Sequence, residues 1–296
     1  TLFKIMRFFR KLKWLFGTYL MPRHIATVKT ENGILSFDNK DRTLGRALNI
    51  NREFESVMMK RTAALLIDKG FIQQSENNTV MDVGGYIGMS SIGFLNFGLF
   101  SKALIFEPNP NSFSLIERNI KQNSFSHRIS AFNLALSNEN SNLIMELSHK
   151  NFGDHRIRQD GEIVKGHYKE EGRKVIDVNS ISLDEFIENN SEICVDDVSM
   201  VWMDIQGHEG KFLQGAYGFL SKQKIPVVME FWPYGLLRSG TTKEEFLSII
   251  KKLFTHFYIV DKELPGLKEI SQVESLFDES AKTPSGGYNL AFVNKN

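Results

Sequence analysis

The chain has 296 residues, 42% hydrophobic and 24% charged, an ordinary globular composition that can fill one large domain or two small ones. Its formal net charge of +1 provides no global field for nucleic acid, so any basic surface is local. Cys194 is the single cysteine, which excludes an intramolecular disulfide and paired-thiolate metal sites; it fits a reducing, cytoplasmic compartment, and between Ile193 and Val195 it reads as a small buried residue.

Residues 2–20 read as a helix in which Phe, Leu and Ile are interleaved with Lys4, Arg7, Arg10, Lys11 and Lys13. Such a helix either docks its apolar stripe on the domain, the commoner use, or makes peripheral contact with an anionic membrane. Residues 14–21 follow basic residues as in a signal peptide, but they include Gly17, Thr18 and Tyr19, and no clear cleavage pattern follows. The start at Thr1 is compatible with a removed leader or with a piece of a longer protein. No stretch reaches the roughly 20 apolar residues needed to span a bilayer. Asn32-Gly33 between β-prone runs at 26–30 and 34–38 predicts a hairpin, and 51–69 predicts a helix. Residues 1–75 are thus expected to form a helical and hairpin extension, and 76–296 the main domain.

From Val80 onward strands alternate with helices. Strands are expected at 79–83, 102–107, 129–135, 199–204, 225–230, 256–260 and 288–293, which makes an α/β fold: a mostly parallel seven-stranded sheet covered on both faces. The interval 141–178 breaks the rhythm, with strands at 141–147 and 173–178 around a polar, glycine-punctuated stretch of the kind that is usually functional or mobile.

The first strand runs into Asp82-Val83-Gly84-Gly85-Tyr86-Ile87-Gly88, where three glycines permit unusual torsions and close approaches. With a helix following, the turn is expected to offer backbone amides at a helix N-terminus. Counted from Gly84, the dinucleotide fingerprint needs glycine at 86 and 89; Tyr86 and Met89 stand there, which disfavours a nicotinamide cofactor. The second strand ends on Glu107, 23 residues after Gly84, where a carboxylate can accept hydrogen bonds from both ribose hydroxyls. An acid capping the second strand of any α/β domain is the plain alternative. Turn and acid together, at this spacing, point to a nucleoside ligand.

In this order, the glycine turn, Glu107-Pro108-Asn109, Asn133-Leu134-Ala135-Leu136-Ser137, Ser182-Leu183-Asp184-Glu185-Phe186 and Met203-Asp204-Ile205-Gln206-Gly207-His208-Glu209 resemble the FkbM-type methyltransferases over about residues 78–293. The resemblance implies a Rossmann-like class I fold, S-adenosylmethionine (SAM) as cofactor, and methylation of hydroxyl groups, in many members on sugars or natural products. It implies that Gly84, Gly85, Tyr86 and Gly88 shape the methionine side, Glu107 holds the ribose and Asn109 lies on the adenine side, with Asp82, Pro108, Asn133, Ala135 and Asp204 completing the cofactor set. It also implies a lid or substrate-side role for the N-terminal addition.

Methyl transfer to a hydroxyl is an in-line displacement that needs alignment and a general base. Asp204 ends an apolar strand at the expected ligand edge, and His208 and Glu209 follow around a helix start; the base stays open among the three, and capping of that helix is the plain alternative for the acids. Gln206 departs from the family pattern, where an acid is usual, and this puts a multi-carboxylate metal site in doubt; no metal is expected. Glu230 ends the next strand and is placed to hold an acceptor hydroxyl, with Phe231, Trp232 and Tyr234 as a flat wall for a sugar or, alternatively, a core cluster. In the irregular segment His155 is a candidate for proton transfer, although a lone loop histidine is more often solvated, and Asp154 is placed to fix the loop. Arg156, Arg158 and Lys165 read as a solvated loop face. The acceptor is thus a small molecule or glycan and not nucleic acid. N-methylation is weakened by the absence of an Asn-Pro-Pro-Tyr-like element after the fourth strand, and an idle nucleoside-binding scaffold is the competing class.

Overall fold

A parallel strand covered on both faces reads as an unbroken apolar run, and in Thr79-Val80-Met81-Asp82-Val83 all five residues are buried. The computed structural model describes residues 2–158 and 166–295, so Lys165 lies outside the described residues. The extension comprises α1 (Leu2–Leu15), a π-helical turn (Phe16–Leu20), the antiparallel hairpin β1 (Ile25–Lys29) and β2 (Ile34–Asp38), α2 (Leu44–Ile50) and α3 (Ser56–Asp68). There follow β3 (Thr79–Val83), α4 (Met89–Asn96), β4 (Lys102–Phe106), α5 (Pro110–Gln122), β5 (Ile129–Phe132), β6 (Ala135–Ser137), β7 (Ser141–Leu147), β8 (Arg156–Arg158), β9 (Lys174–Ser182) and α6 (Leu183–Asn189). The chain ends through β10 (Val198–Met203), α7 (Glu209–Gly215), α8 (Tyr217–Gln223), β11 (Val227–Phe231), α9 (Pro233–Arg238), α10 (Lys243–Leu253), β12 (His256–Ile259), β13 (Lys268–Glu269), α11 (Val273–Ser280) and β14 (Tyr288–Val293).

The main sheet has the order β13-β12-β14-β11-β10-β3-β4-β5, parallel from β5 to β11, with β14 antiparallel to both its neighbours. The seven expected strands are present, and the two-residue β13 makes an eighth. The strand expected over 129–135 divides, because β6 leaves the main sheet and pairs with β9 in a second sheet of order β6-β9-β7-β8. The strand expected from 225 starts at Val227: Pro226 has no N–H for a ladder and contributes only its carbonyl, 3.0 Å from Val201 N. The helix expected over 51–69 starts at Ser56, since Arg52 and Glu55 take φ of +66° and +55°. Cys194 is exposed, not buried, because it sits in the connection before β10.

From β3 the chain adds β4 and β5 on one side and later β10 and β11 on the other, so the order reverses between β3 and β10. Open α/β sheets bind ligands beyond the C-terminal strand ends at such a point. One apolar layer packs α7, α8, α10 and α11 on the sheet; the other combines α4 and α5 with α3 and the hairpin, whose Leu35 and Phe37 are fully buried. The hairpin is also bonded to α5: Asn119 Oδ1 accepts from Ser36 N at 2.7 Å, and its Nδ2 donates to Ser36 O at 3.1 Å and Ile87 O at 2.8 Å. Among the described residues, no helix is long and apolar enough to cross a membrane.

Because Phe37 fills this shared layer, Phe37→Ala is expected to lower the unfolding free energy by roughly 3–5 kcal/mol. Urea denaturation checks this as a fall in midpoint at unchanged slope.

Candidate active site

The C-terminal ends of β3, β4 and β10 are held side by side by backbone. Gly84 N and Gly85 N both donate to Phe106 O, at 2.9 and 3.1 Å, and Asp204 N donates to Val83 O at 3.0 Å. Gly84 has a φ of +85°, and a Cβ there would lie 2.1 Å from Asp204 O, so the close approach this turn makes is to the end of β10. Tyr86 N donates to Glu107 Oε2 at 2.9 Å and Gly88 N to Gly85 O at 2.7 Å. With these amides committed, the turn is not the open amide cradle expected at the helix start. These four amides are therefore not free for a pyrophosphate.

Two cavities meet over the turn. Phe106, Glu107, Pro108, Ala135, Phe152 and His155 contribute to the first. Glu107 is 6% exposed; its Oε1 accepts from Asn109 N at 2.8 Å, and burial pushes its pKa up to about 8 against these two amide bonds. Each carboxylate oxygen keeps a further lone pair for a hydroxyl donor. The second cavity, of about 240 Å³, includes Glu55, Asp82, Asp204 and Glu230 in its lining and no Lys, Arg or His. Asp82 Oδ2 accepts from Ser91 Oγ at 2.7 Å and Ser91 N at 3.2 Å, and burial pushes its pKa up to about 6. Burial, with Asp204 and Asp261 adding, pushes Glu55 up to about 7.

Asp204 is open to the cavity but enclosed by the protein around it, and this burial raises its pKa against the lowering effect of Gln206. Glu230 is raised well above the ordinary carboxylate range, first by burial and then by Asp204. Gln206, at a φ of +54°, stands between them: its Nε2 donates to Asp204 Oδ1 at 2.6 Å and to Glu230 Oε2 at 3.0 Å. Among the described residues, no group of three or more His, Cys, Asp or Glu is arranged to hold a metal ion. Gln206 and Glu230 also line a wider groove of about 460 Å³ with Tyr168, Trp232 and Arg156. The Arg156 guanidinium lies 4.5 Å from the Trp232 ring centroid and 5.0 Å from that of Tyr168.

Several expected site residues are placed differently from their expected roles. His208 adjoins the first cavity, but its Nε2 is 2.9 Å from Ser137 Oγ and its Nδ1 2.7 Å from Ser239 Oγ; burial lowers its pKa to about 3, so it braces the loop and is no base. His155 Nδ1 accepts from Ser148 N at 3.0 Å, which puts the ring proton on Nε2, and burial lowers its pKa to about 4. It is a neutral donor, not a proton acceptor. Glu209 is 1% exposed, its Oε1 accepts from Ile205 N at 3.2 Å, and it supports the loop from behind instead of facing an acceptor. Asn109 caps α5 with its side chain, accepting from Asn111 N and Ser112 N, and does not line the first cavity. Asn133 Nδ2 is taken by the carbonyls of Glu107 and Pro108, at 2.8 and 3.0 Å, which positions that turn from outside the cavity. Phe231 belongs to the core, packed on Phe246 and Phe277.

The irregular segment is tied down by ion pairs. Asp154 meets Arg156 Nε at 2.6 Å and Arg173 Nη2 at 2.5 Å, and Glu170 takes Arg156 Nη1 at 2.9 Å and the Tyr234 hydroxyl at 2.8 Å. Asp154 thus fixes the loop as expected, whereas Arg156 is buried in this network and Arg158 pairs with Glu146, so neither forms a solvated face. Sequence reasoning missed Glu55 and Asp41. The latter accepts from the Tyr86 hydroxyl at 2.8 Å and anchors that side chain to the extension.

A buried carboxylate for hydroxyls beside an acidic cavity without cationic side chains suits SAM, which brings a ribose, a sulfonium and an ammonium group. The fold and site define a SAM-dependent methyltransferase domain. The sequence matches the family profile described as Methyltransferase FkbM domain over residues 82–258, more than half of the chain, and the chain belongs to this family. No curated protein sequence gave a match. Similar solved structures include methyltransferase FkbM from Methylobacillus flagellatus KT, with 15% identity over 83% of this chain and 52% of that one and a TM-score of 0.43. The chain thus spans about half the length of that relative. Others are the Bacillus cereus O-methyltransferase in complex with SAH, with 10% identity, 79% and 80% coverage and a TM-score of 0.37, and M. jannaschii TYW2 in complex with AdoMet, with 11%, 92% and 86%, and 0.42.

Ribose hydroxyls held by Glu107 would call for its charged form, so SAM binding is expected to release a proton near neutrality. Affinity is expected to rise with pH, by up to about tenfold per unit, and to level off above about 8. Calorimetry in buffers of different ionisation enthalpy reads the proton release. Glu107→Gln is expected to weaken SAM by at least about tenfold and to flatten the pH dependence.

Proposed function

We propose that this domain transfers the methyl group of SAM to a hydroxyl of a sugar, in a glycan or a glycosylated small molecule. The observation that carries this reading is the junction at Gln206, where the acidic cofactor cavity opens into a groove bearing both carboxylates and aromatic rings. Sugars are bound by that combination: carboxylates accept from hydroxyls, and the part-exposed rings of this groove, Tyr168 and Tyr288, cover the apolar face.

When bound, SAM supplies the methyl group on an electrophilic sulfonium. Glu107 fixes the nucleoside end, and the lining of the second cavity favours the cationic end. The Asp204–Glu230 pair shares the amide of Gln206 and titrates as a unit, with each carboxyl raised by burial. Carboxyls raised in this way are stronger bases than ordinary ones, and the pair would take the hydroxyl proton as the methyl group passes from sulfur to the acceptor oxygen, the sulfur keeping the electron pair of the broken bond. The pair favours a hydroxyl acceptor, since an amine in reactive form brings no need for a base so strongly shifted.

Asp204→Asn and Glu230→Gln are each expected to lower kcat by roughly 10²–10⁴ with SAM affinity kept within a few-fold. Transfer of labelled methyl groups from SAM to a panel of sugars and amines tests the reading. Label in an alkali-stable ether on a sugar supports it, whereas amine methylation, or SAM binding with no transfer to any acceptor, overturns it.

A further inference from the structure

The first acidic residue of the chain is Glu31, so the net charge of +1 divides into +7 over residues 1–30 and −6 over the remainder. The basic part carries α1. This helix is attached to the body by one side of its C-terminal end: Trp14 is 7% exposed and lies under Arg46, at 5.7 Å, and Thr18 is 3% exposed, with its carbonyl and that of Met21 each 2.6 Å from Lys40 Nζ. The docking of the apolar stripe expected from sequence is therefore not what holds this helix, which is attached by its opposite side.

Ile5, Phe8, Phe9 and Leu12, spaced i, i+3, i+4 and i+7, fall on one helical face, and Trp14 falls on the opposite one. All four are exposed, Phe8 at 58% and Phe9 at 62%, and Phe16 and Leu20 beyond them at 56% and 73%. Lys4 and Lys11 project to one flank of this stripe and Lys13 to the other, while Arg7 falls nearer the side of Trp14. A helix that serves its own core turns its apolar face inward; this one turns it out and surrounds it with cations.

We propose that α1 and the turn after it lie in the interface of an anionic lipid bilayer, with Phe8, Phe9 and Leu12 among the acyl chains and the lysines and arginines at the headgroups. Charge complementarity selects this occupant: a second copy would set the same cationic flanks against each other, whereas acidic headgroups neutralise them. The site is separate from the methyltransferase cavities, to which none of these side chains contributes.

The test is co-sedimentation of the full chain with phosphatidylcholine vesicles, with and without phosphatidylglycerol. Binding is expected on the anionic vesicles, at least about tenfold weaker on the neutral ones and in high salt. The double variant Phe8→Ser/Phe9→Ser is expected to lose binding by about tenfold or more, with SAM affinity unchanged, which shows that the domain is folded. Equal sedimentation of the parent and the double variant overturns the proposal, as does absence of binding by the parent. A parent that is dimeric by light scattering, and monomeric as the double variant, assigns the stripe to a second copy and also overturns it.

Discussion

The carbonyl of Phe106 receives the amides of both Gly84 and Gly85, and the rest of the site depends on that double bond. It sets the β3 turn against the end of β4, which brings Tyr86 N to Glu107 and leaves Gly84 pressed on the carbonyl of Asp204. Three neighbouring strands thereby present their ends as one surface, with Glu107 on one side of β3 and Asp204 on the other. A side chain at 84 would separate them.

The parallel sheet was legible because its central strands are short, apolar and buried on both faces, and because Glu107 follows the glycine turn at the spacing of one β-α-β unit. Positions failed where a side chain's polar atoms are claimed by partners that no motif announces, near or far in sequence. His208 reads as a base until Ser137 and Ser239 are brought to its two nitrogens, and His155 until Ser148 N closes on Nδ1. Asn109 and Asn133 lie in the right motifs but spend their polar atoms on backbone. Glu55 carried no signal in spacing or composition; it reaches the cavity through a left-handed backbone at the start of α3, a property no pattern of apolar residues encodes.

Gln206 illustrates how a departure from a family pattern can be structural chemistry and not loss. An acid there would add a third negative charge between Asp204 and Glu230, each already held above its ordinary pKa by burial. The amide instead gives one N–H-bearing nitrogen to both, which lets the two carboxyls stand close without a cation. The cost is backbone strain at residue 206, of a kind that persists at sites where the surrounding structure enforces it.

The acidic lining of the second cavity also separates cofactor from product. Transfer of the methyl group turns a sulfonium into a neutral thioether, and the cavity offers no Lys, Arg or His to replace the charge that has gone. An attraction to the sulfonium there would be switched off by the reaction itself, while hydroxyl contacts to Glu107 would be unchanged. On the proposed reading, a lining of this charge prefers the cationic cofactor to its neutral product, so the chemistry itself would weaken the hold on what must be exchanged.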